Sequence, residues 1–139
     1  MAFVLDCSIT LAWFFEDEDN PYAMSLLDSL AETEAIVPFI WTLEVLNGLL
    51  MAERRKRLTT GKADQAVELL KKLNIRVDAQ VDGMQSLLSL ARATRLTAYD
   101  AAYLKLAQRC QALLATSDRA LIDAARLLDI KLVDSGHPL

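Results

Sequence analysis

The chain opens with Ala2-Phe3-Val4-Leu5-Asp6-Cys7-Ser8, in which four apolar residues lead directly into an acidic one. An apolar run this short, bounded by polar residues, is typical of a buried strand and too short for a helix. Similar short runs occur at residues 35–37, 75–77 and 112–115, and a weaker one occurs at residues 130–133. The sequence therefore predicts four strands and a possible fifth.

Longer stretches with helical spacing separate these runs. Ile40, Leu43, Leu46 and Leu50, for example, recur every three or four residues, which is the spacing of one helix face. The predicted helices lie at residues 40–57, 59–73, 84–91, 100–108 and 118–128. Strands that alternate with helices form parallel sheets covered on both faces. We predict a single domain over residues 1–139, an α/β/α three-layer sandwich around a parallel sheet of four to five strands.

Composition sets further limits. The chain has 139 residues, of which 53% are hydrophobic, so it can bury one sizeable core. Its longest apolar run, residues 35–41, is far shorter than the roughly 20 residues that span a membrane, and we expect no membrane segment and no secretory signal. Cys7 and Cys110 are the two cysteines, too few for a disulfide framework or a four-thiolate zinc site. We expect two free thiols in a cytoplasmic protein.

Charge is distributed unevenly. The net charge is −4, but residues 1–50 contain nine acids and no Lys or Arg, whereas residues 51–76 contain eight bases and three acids. Such asymmetry indicates that different faces meet different partners. Within the basic segment, Arg54, Arg55, Lys56 and Arg57 follow one another. They are candidates for contacting a nucleic-acid backbone; the alternative is a solvated helix end, where bases favour the helix dipole.

Four acidic residues stand at unusual places. Asp6 follows the first predicted strand and Asp118 follows the fourth, and in a parallel sheet the reactive crevice lies at the carboxyl ends of the strands. Glu44 lies on a mostly apolar helix stripe, and Asp100 opens a helix whose next residues are of inward-facing types. Taken alone, each aspartate has an ordinary alternative as a helix cap or turn residue.

If the four carboxylates converge without Lys or Arg, they repel one another and raise each other's pKa. A hard divalent cation, Mg²⁺ or Mn²⁺, removes that conflict because it prefers carboxylate oxygens and water. The hydroxyls of Ser8 and Thr116, beside two of these acids, suit the orientation of the ligands. A bound cation would also neutralise the cleft and admit a phosphodiester.

At this point the sequence resembles the PIN-domain family and, within it, the VapC-type toxin ribonucleases of type II toxin–antitoxin systems. The resemblance covers the whole chain, and no single motif is specific, but the ordered set is. The segments that carry it are Leu5-Asp6-Cys7-Ser8, Glu44-Val45-Leu46-Asn47, Tyr99-Asp100-Ala101-Ala102-Tyr103-Leu104 and Ala115-Thr116-Ser117-Asp118.

The resemblance implies a Mg²⁺- or Mn²⁺-dependent endoribonuclease that hydrolyses RNA through metal-activated water. By position, the catalytic metal-binding acids would be Asp6, Glu44, Asp100 and Asp118, and Ser8 and Thr116 would support them. It also implies a homodimer and a cognate antitoxin protein that inserts a segment across the groove. The lone His137, in the C-terminal tail, is not expected to be a catalytic base.

A protein partner also agrees with the first 20 residues. Trp13, Phe14 and Phe15 are adjacent, and we predict them in the first helix, partly in the core and partly on a dimer or antitoxin surface. The acidic run 16–19 follows them and is expected to attract basic side chains of the antitoxin.

Three other functions remain as alternatives. A receiver-like Mg²⁺-binding domain normally has adjacent acids after its first strand, but Cys7 follows Asp6. A haloacid-dehalogenase-type phosphatase needs a second aspartate where Ser8 stands. A non-catalytic interaction module would use the acids only as caps, and a thermal shift with Mn²⁺ would distinguish it.

Overall fold

The computed structural model describes residues 2–134, which form four strands and seven helices. Met1 and residues 135–139, with His137, lie outside the described residues. Along the chain the elements are β1 (Ala2–Leu5), α1 (Cys7–Ala12), α2 (Pro21–Ser29), β2 (Glu34–Pro38), α3 (Ile40–Arg54), α4 (Thr60–Lys72), β3 (Ile75–Asp78), α5 (Met84–Thr94), α6 (Ala98–Cys110), β4 (Leu113–Ala115) and α7 (Arg119–Leu127).

The four strands form one parallel sheet in the order β3-β2-β1-β4. The register places Val4 of β1 beside Ile36 of β2 and Leu114 of β4. Phe3, Val4 and Leu5 are fully buried, as expected for a central strand covered on both faces. The predicted α/β sandwich is confirmed.

The possible fifth strand at residues 130–133 is reduced to an isolated bridge between Leu114 and Leu132. Two backbone hydrogen bonds join it to β4: Leu114 N–H donates to the Lys131 carbonyl, and Val133 N–H donates to the Leu114 carbonyl. The sheet of the described chain therefore has four strands.

Local capping fixes where several helices begin. The Thr59 hydroxyl caps α4 by accepting from Lys62 N–H. The expectation that Asp100 opens its helix is wrong, because α6 begins at Ala98 and the Thr97 hydroxyl accepts from Asp100 N–H at 3.1 Å. Since Thr97 satisfies the helix end, the Asp100 carboxylate is not used as a cap.

Close packing between α1 and α3 sets the spacing of the elements that carry Asp6 and Glu44. Gly48 of α3 lies against the side chain of Leu11, and a Cβ at residue 48 would overlap that leucine. Gly48 is one turn after Glu44, so the missing side chain allows α3 to approach α1 directly beside the site.

The prediction that Trp13, Phe14 and Phe15 lie in the first helix is wrong, because α1 ends at Ala12. The Trp13 indole N–H donates to the Ala23 carbonyl of α2 at 2.7 Å. All three aromatic side chains are half-buried.

The longest helix, α3, has 15 residues. None of the helices within residues 2–134 combines the length and apolar character needed to cross a membrane.

Candidate active site

The adjacency of β1 and β4 brings two predicted acids to one edge of the sheet. Asp6 directly follows β1, and its backbone N–H donates to the carbonyl of Ala115, the last residue of β4, at 3.0 Å. Asp118 follows β4 by three residues and stands at the N-cap of α7. Both residues therefore lie at the carboxyl ends of neighbouring strands, where parallel sheets place their reactive crevices.

Asp6 is buried, with 5% of its surface exposed, and is held by two hydroxyls. Ser8 Oγ and Thr116 Oγ1 each donate to Asp6 Oδ2 at 2.7 Å. Burial raises the pKa of Asp6 most strongly, the two hydroxyl bonds oppose that rise, and the charge of Asp118 adds to it. Both side-chain donors thus converge on a single oxygen of this carboxylate.

Asp118 is a helix cap and a member of the acidic group at once. Its Oδ1 accepts from the N–H groups of Ala120 (2.9 Å) and Leu121 (3.5 Å), and its own N–H donates to Thr116 Oγ1 at 3.0 Å. Thr116 consequently links the backbone of Asp118 to the carboxylate of Asp6. The capping interpretation is correct for this residue, but it does not separate Asp118 from the other acids.

Glu44 reaches the same region from the second turn of α3. It is half-buried, and the Tyr103 hydroxyl of α6 donates to its Oε1 at 2.6 Å. Burial raises the pKa of Glu44 first, the bond from Tyr103 lowers it, and the charges of Asp6 and Asp100 raise it further.

Asp100 stands in the first turn of α6 and is half-buried. Burial is the main reason that its pKa is raised, followed by the charges of Asp118 and Asp6, with a smaller lowering contribution from its hydrogen bond with Thr97. The charges of Asp6 and Asp100 thus raise the pKa of Glu44, and the charge of Asp118 raises the pKa of both Asp6 and Asp100. Each of the four predicted acids is therefore electrostatically coupled to at least one other, although they arise from four separate parts of the chain.

No base within residues 2–134 forms an ion pair with this acidic group. None of the ion pairs formed within residues 2–134 includes Asp6, Glu44, Asp100 or Asp118. Their side chains do not form a closed cage either, since no three His, Cys, Asp or Glu residues of that range have the arrangement of a metal centre. The donor set still fits Mg²⁺, which is commonly held by one or two carboxylates and several waters.

The predicted basic cluster is at the far end of α3. Arg54 is the last residue of this helix, ten residues after Glu44, which corresponds to about 15 Å along the axis. Arg57 Nη2 pairs with Asp17 Oδ1 at 3.1 Å and Glu18 Oε2 at 3.4 Å, and its guanidinium stacks 4.3 Å from the centre of the Phe15 ring. Contact of Arg54, Arg55, Lys56 and Arg57 with RNA stays a prediction.

The acidic run has partners in its own chain. Besides the pairs to Arg57, Glu16 pairs with Lys62 at 3.5 Å. Exposed pairs of this kind contribute only about 0–1 kcal/mol, so a competing charge can displace them. Attraction of an antitoxin by residues 16–19 also stays a prediction.

The sequence assigned no role in the site to Tyr103, although this residue belongs to one of the segments that carry the family resemblance. It lies three residues after Asp100, on the same face of α6, and this spacing was an available signal. Thr116, the hydroxyl partner of Asp6, also lines a groove of about 480 Å³ together with Tyr22, Ser117 and Arg126; none of the four acids lines it.

Comparison with known proteins agrees with this fold. PAE2754 from Pyrobaculum aerophilum superposes with a TM-score of 0.70 at 18% identity, over 89% of this chain and 84% of its own. FitAcB from Neisseria gonorrhoeae superposes with a TM-score of 0.64 at 19% identity, over 99% of each chain. At such identities the likeness concerns the fold alone, and no curated protein has a significant sequence match.

The sequence profile of the PIN domain matches residues 3–127. This match includes all four elements that carry the acidic residues. The chain therefore belongs to the PIN-domain family.

Proposed function

We propose that this protein is a Mg²⁺- or Mn²⁺-dependent endoribonuclease and the toxin component of a toxin–antitoxin pair. PIN domains are typically metal-dependent nucleases, and the VapC-type resemblance supports the narrower assignment. One observation carries the proposal: four acids from separate parts of the chain lie near one another at the carboxyl edge of the sheet. Burial and the charges of neighbouring acids raise the pKa of Asp6, Glu44 and Asp100, and no base of the described range forms an ion pair with any of the four.

The protein holds three of these carboxylates by one oxygen each. Asp6 Oδ2 accepts from Ser8 and Thr116, Asp118 Oδ1 accepts from the start of α7, and Glu44 Oε1 accepts from Tyr103. The second oxygens of Glu44 and Asp118 have no hydrogen-bond donor among residues 2–134, whereas the Asp6 carboxylate also receives a backbone hydrogen bond from Cys7. The second oxygens of the three, together with Asp100, would hold the cation.

A cation bound there would neutralise the carboxylates and supply the activated water and positive charge that phosphodiester hydrolysis requires. The side chains nearby do not offer a nucleophile of their own. The Ser8 hydroxyl donates to Asp6, and burial raises the pKa of the Cys7 thiol, which keeps it protonated. Hydrolysis should leave 5′-phosphate and 3′-hydroxyl ends.

The partners are an RNA substrate, a cognate antitoxin and a second copy of the chain. The exposed apolar side chains of α3 support a protein partner, since Leu43, Leu46, Leu50 and Met51 are each at least 40% exposed and such patches mark interaction surfaces. The basic end of α3 and the groove beside Thr116 are the places proposed for RNA that flanks the scissile phosphate.

The test is RNA cleavage by the purified chain with Mn²⁺ or Mg²⁺, with and without excess EDTA. Asp6→Asn and Asp118→Asn should each abolish cleavage. Asp28→Asn, the same substitution at an exposed residue of α2, should leave it intact. Sequencing of RNA 5′ ends after induction of wild type and Asp6→Asn would identify the target. Cleavage that survives chelation, or a fully active Asp6→Asn, contradicts the proposal.

A further inference from the structure

The hydroxyl of Tyr103 calls for an explanation that core packing does not provide. The side chain is 0% exposed and is among the largest fully buried ones, and its ring belongs to the apolar core. A phenylalanine of the same shape would fill that space equally well. The hydroxyl adds a polar group whose burial is unfavourable unless it is hydrogen-bonded.

The partner of that hydroxyl is a carboxylate of the acidic group. Tyr103 Oη donates to Glu44 Oε1 at 2.6 Å, across 59 residues of sequence. This length is typical of the stronger hydrogen bonds between a hydroxyl and a charged carboxylate. It is the one side-chain hydrogen bond of Glu44 within residues 2–134, so the orientation of Glu44 depends on Tyr103.

Glu44 needs such an anchor more than the aspartates do. Its side chain is longer, has more rotatable bonds and is only half-buried, so ordering it costs more conformational entropy. Asp6 and Asp118 are fixed by groups two or three residues away in the chain or by the adjacent strand end. Glu44 has no comparable local donor, and its anchor comes from another helix.

We propose that Tyr103 is a positioning residue that fixes one oxygen of Glu44 from α6, leaving the other oxygen oriented for Mg²⁺ or Mn²⁺. This inference rests on the proposed function, since it assigns Tyr103 a role toward the same cation. Because Tyr103 and Asp100 share one face of α6, a single helix then presents one acid directly and orients a second.

The test compares Tyr103→Phe with wild type by calorimetric titration of Mn²⁺ into the whole chain, without RNA. The variant keeps the ring, and thermal unfolding in EDTA checks that it folds. Loss of a group that orients a metal ligand typically weakens metal binding 10–100-fold, so the Kd for Mn²⁺ should rise by about that factor. Cleavage should recover toward the wild-type rate once Mn²⁺ is saturating.

Tyr99→Phe is the matched control. It removes the same hydroxyl from a residue that is 59% exposed on the first turn of the same helix, and the Kd for Mn²⁺ should not change. The inference is overturned if the Kd of Tyr103→Phe for Mn²⁺ stays within about twofold of the wild-type value while Glu44→Gln binds Mn²⁺ more weakly. That result would leave the proposed function standing.

A double variant separates positioning from a general effect on the fold. If Tyr103 acts through Glu44, adding Tyr103→Phe to Glu44→Gln should weaken Mn²⁺ binding little further. Equal losses in both backgrounds would overturn the inference. If Glu44→Gln alone leaves Mn²⁺ affinity unchanged, the metal-binding role proposed for Glu44 fails, and the role of Tyr103 fails with it.

Discussion

Replacing Asp6 by Asn should make the metal-free protein more stable. The buried carboxylate accepts two hydroxyl bonds at 2.7 Å, and a neutral acceptor would weaken them by about 1 kcal/mol each. Against this, burial of an uncompensated charge costs several kcal/mol. The raised pKa of Asp6 indicates that the unfavourable contributions are the larger. We expect a net stabilisation of about 1–2 kcal/mol, or about 3–7 °C in Tm.

With Mn²⁺ added, the wild type should become more stable than Asp6→Asn. At a concentration 100-fold above its Kd, a ligand stabilises the folded state by about 2.7 kcal/mol, and only the wild type should gain this. Thermal unfolding at neutral pH measures the stability difference in EDTA and the stabilisation in MnCl₂. Asp28→Asn is the control at an exposed acid. The reasoning is refuted if Asp6→Asn is the less stable protein in EDTA and shows the same Mn²⁺ shift as wild type.

Three further predictions concern pH, packing and RNA binding. In EDTA, the stability difference that favours Asp6→Asn over wild type should shrink as pH falls through the raised pKa of Asp6 toward 3.8. The reason is that the folded wild type then takes up a proton more readily than the unfolded chain. A stability difference that stays constant across that pH range would contradict the charge assigned to Asp6. Gly48→Ala should destabilise the protein by about 1 kcal/mol, since overpacking at about 1–3 kcal/mol exceeds the helix-propensity gain of about 1 kcal/mol; an increased Tm would argue against tight contact of α1 with α3. Asp17→Asn combined with Glu18→Gln should release Arg57, so RNA should bind more tightly in EDTA, with a salt dependence steeper by about one unit; an unchanged slope in filter binding would exclude Arg57 from phosphate contact.

Predictions from local signals were the most reliable. The four apolar runs correspond to the four strands, because strand length and burial depend on the types of consecutive residues. Thr59 caps α4 and Asp118 caps α7, as their side-chain chemistry favours. Two helix bounds were predicted wrongly: Thr97, rather than Asp100, caps α6, and α1 ends at Ala12, before Trp13.

The sequence alone could name the acids but not bring them together. The sequence predicted that Asp6 and Asp118 each follow a strand. Their proximity, however, depends on the pairing of β4 with β1 rather than with β3. Glu44 and Asp100 joined them only through the packing of α3 and α6, and the bond from Tyr103 to Glu44 spans 59 residues. The ion pairs of Arg57 with Asp17 and Glu18 could not be predicted from the sequence either.

The physical reason for this division is the range of the interactions. Periodicity, caps and strand length depend on neighbours within a few residues, so a single sequence determines them. Strand order and the meeting of distant side chains are decided by burial of the whole core, in which each contact depends on all the others. For this protein the sequence determined most of the elements, though not α2, and the chemistry available to them. The tertiary structure decided which carboxylates lie near one another and what holds them there.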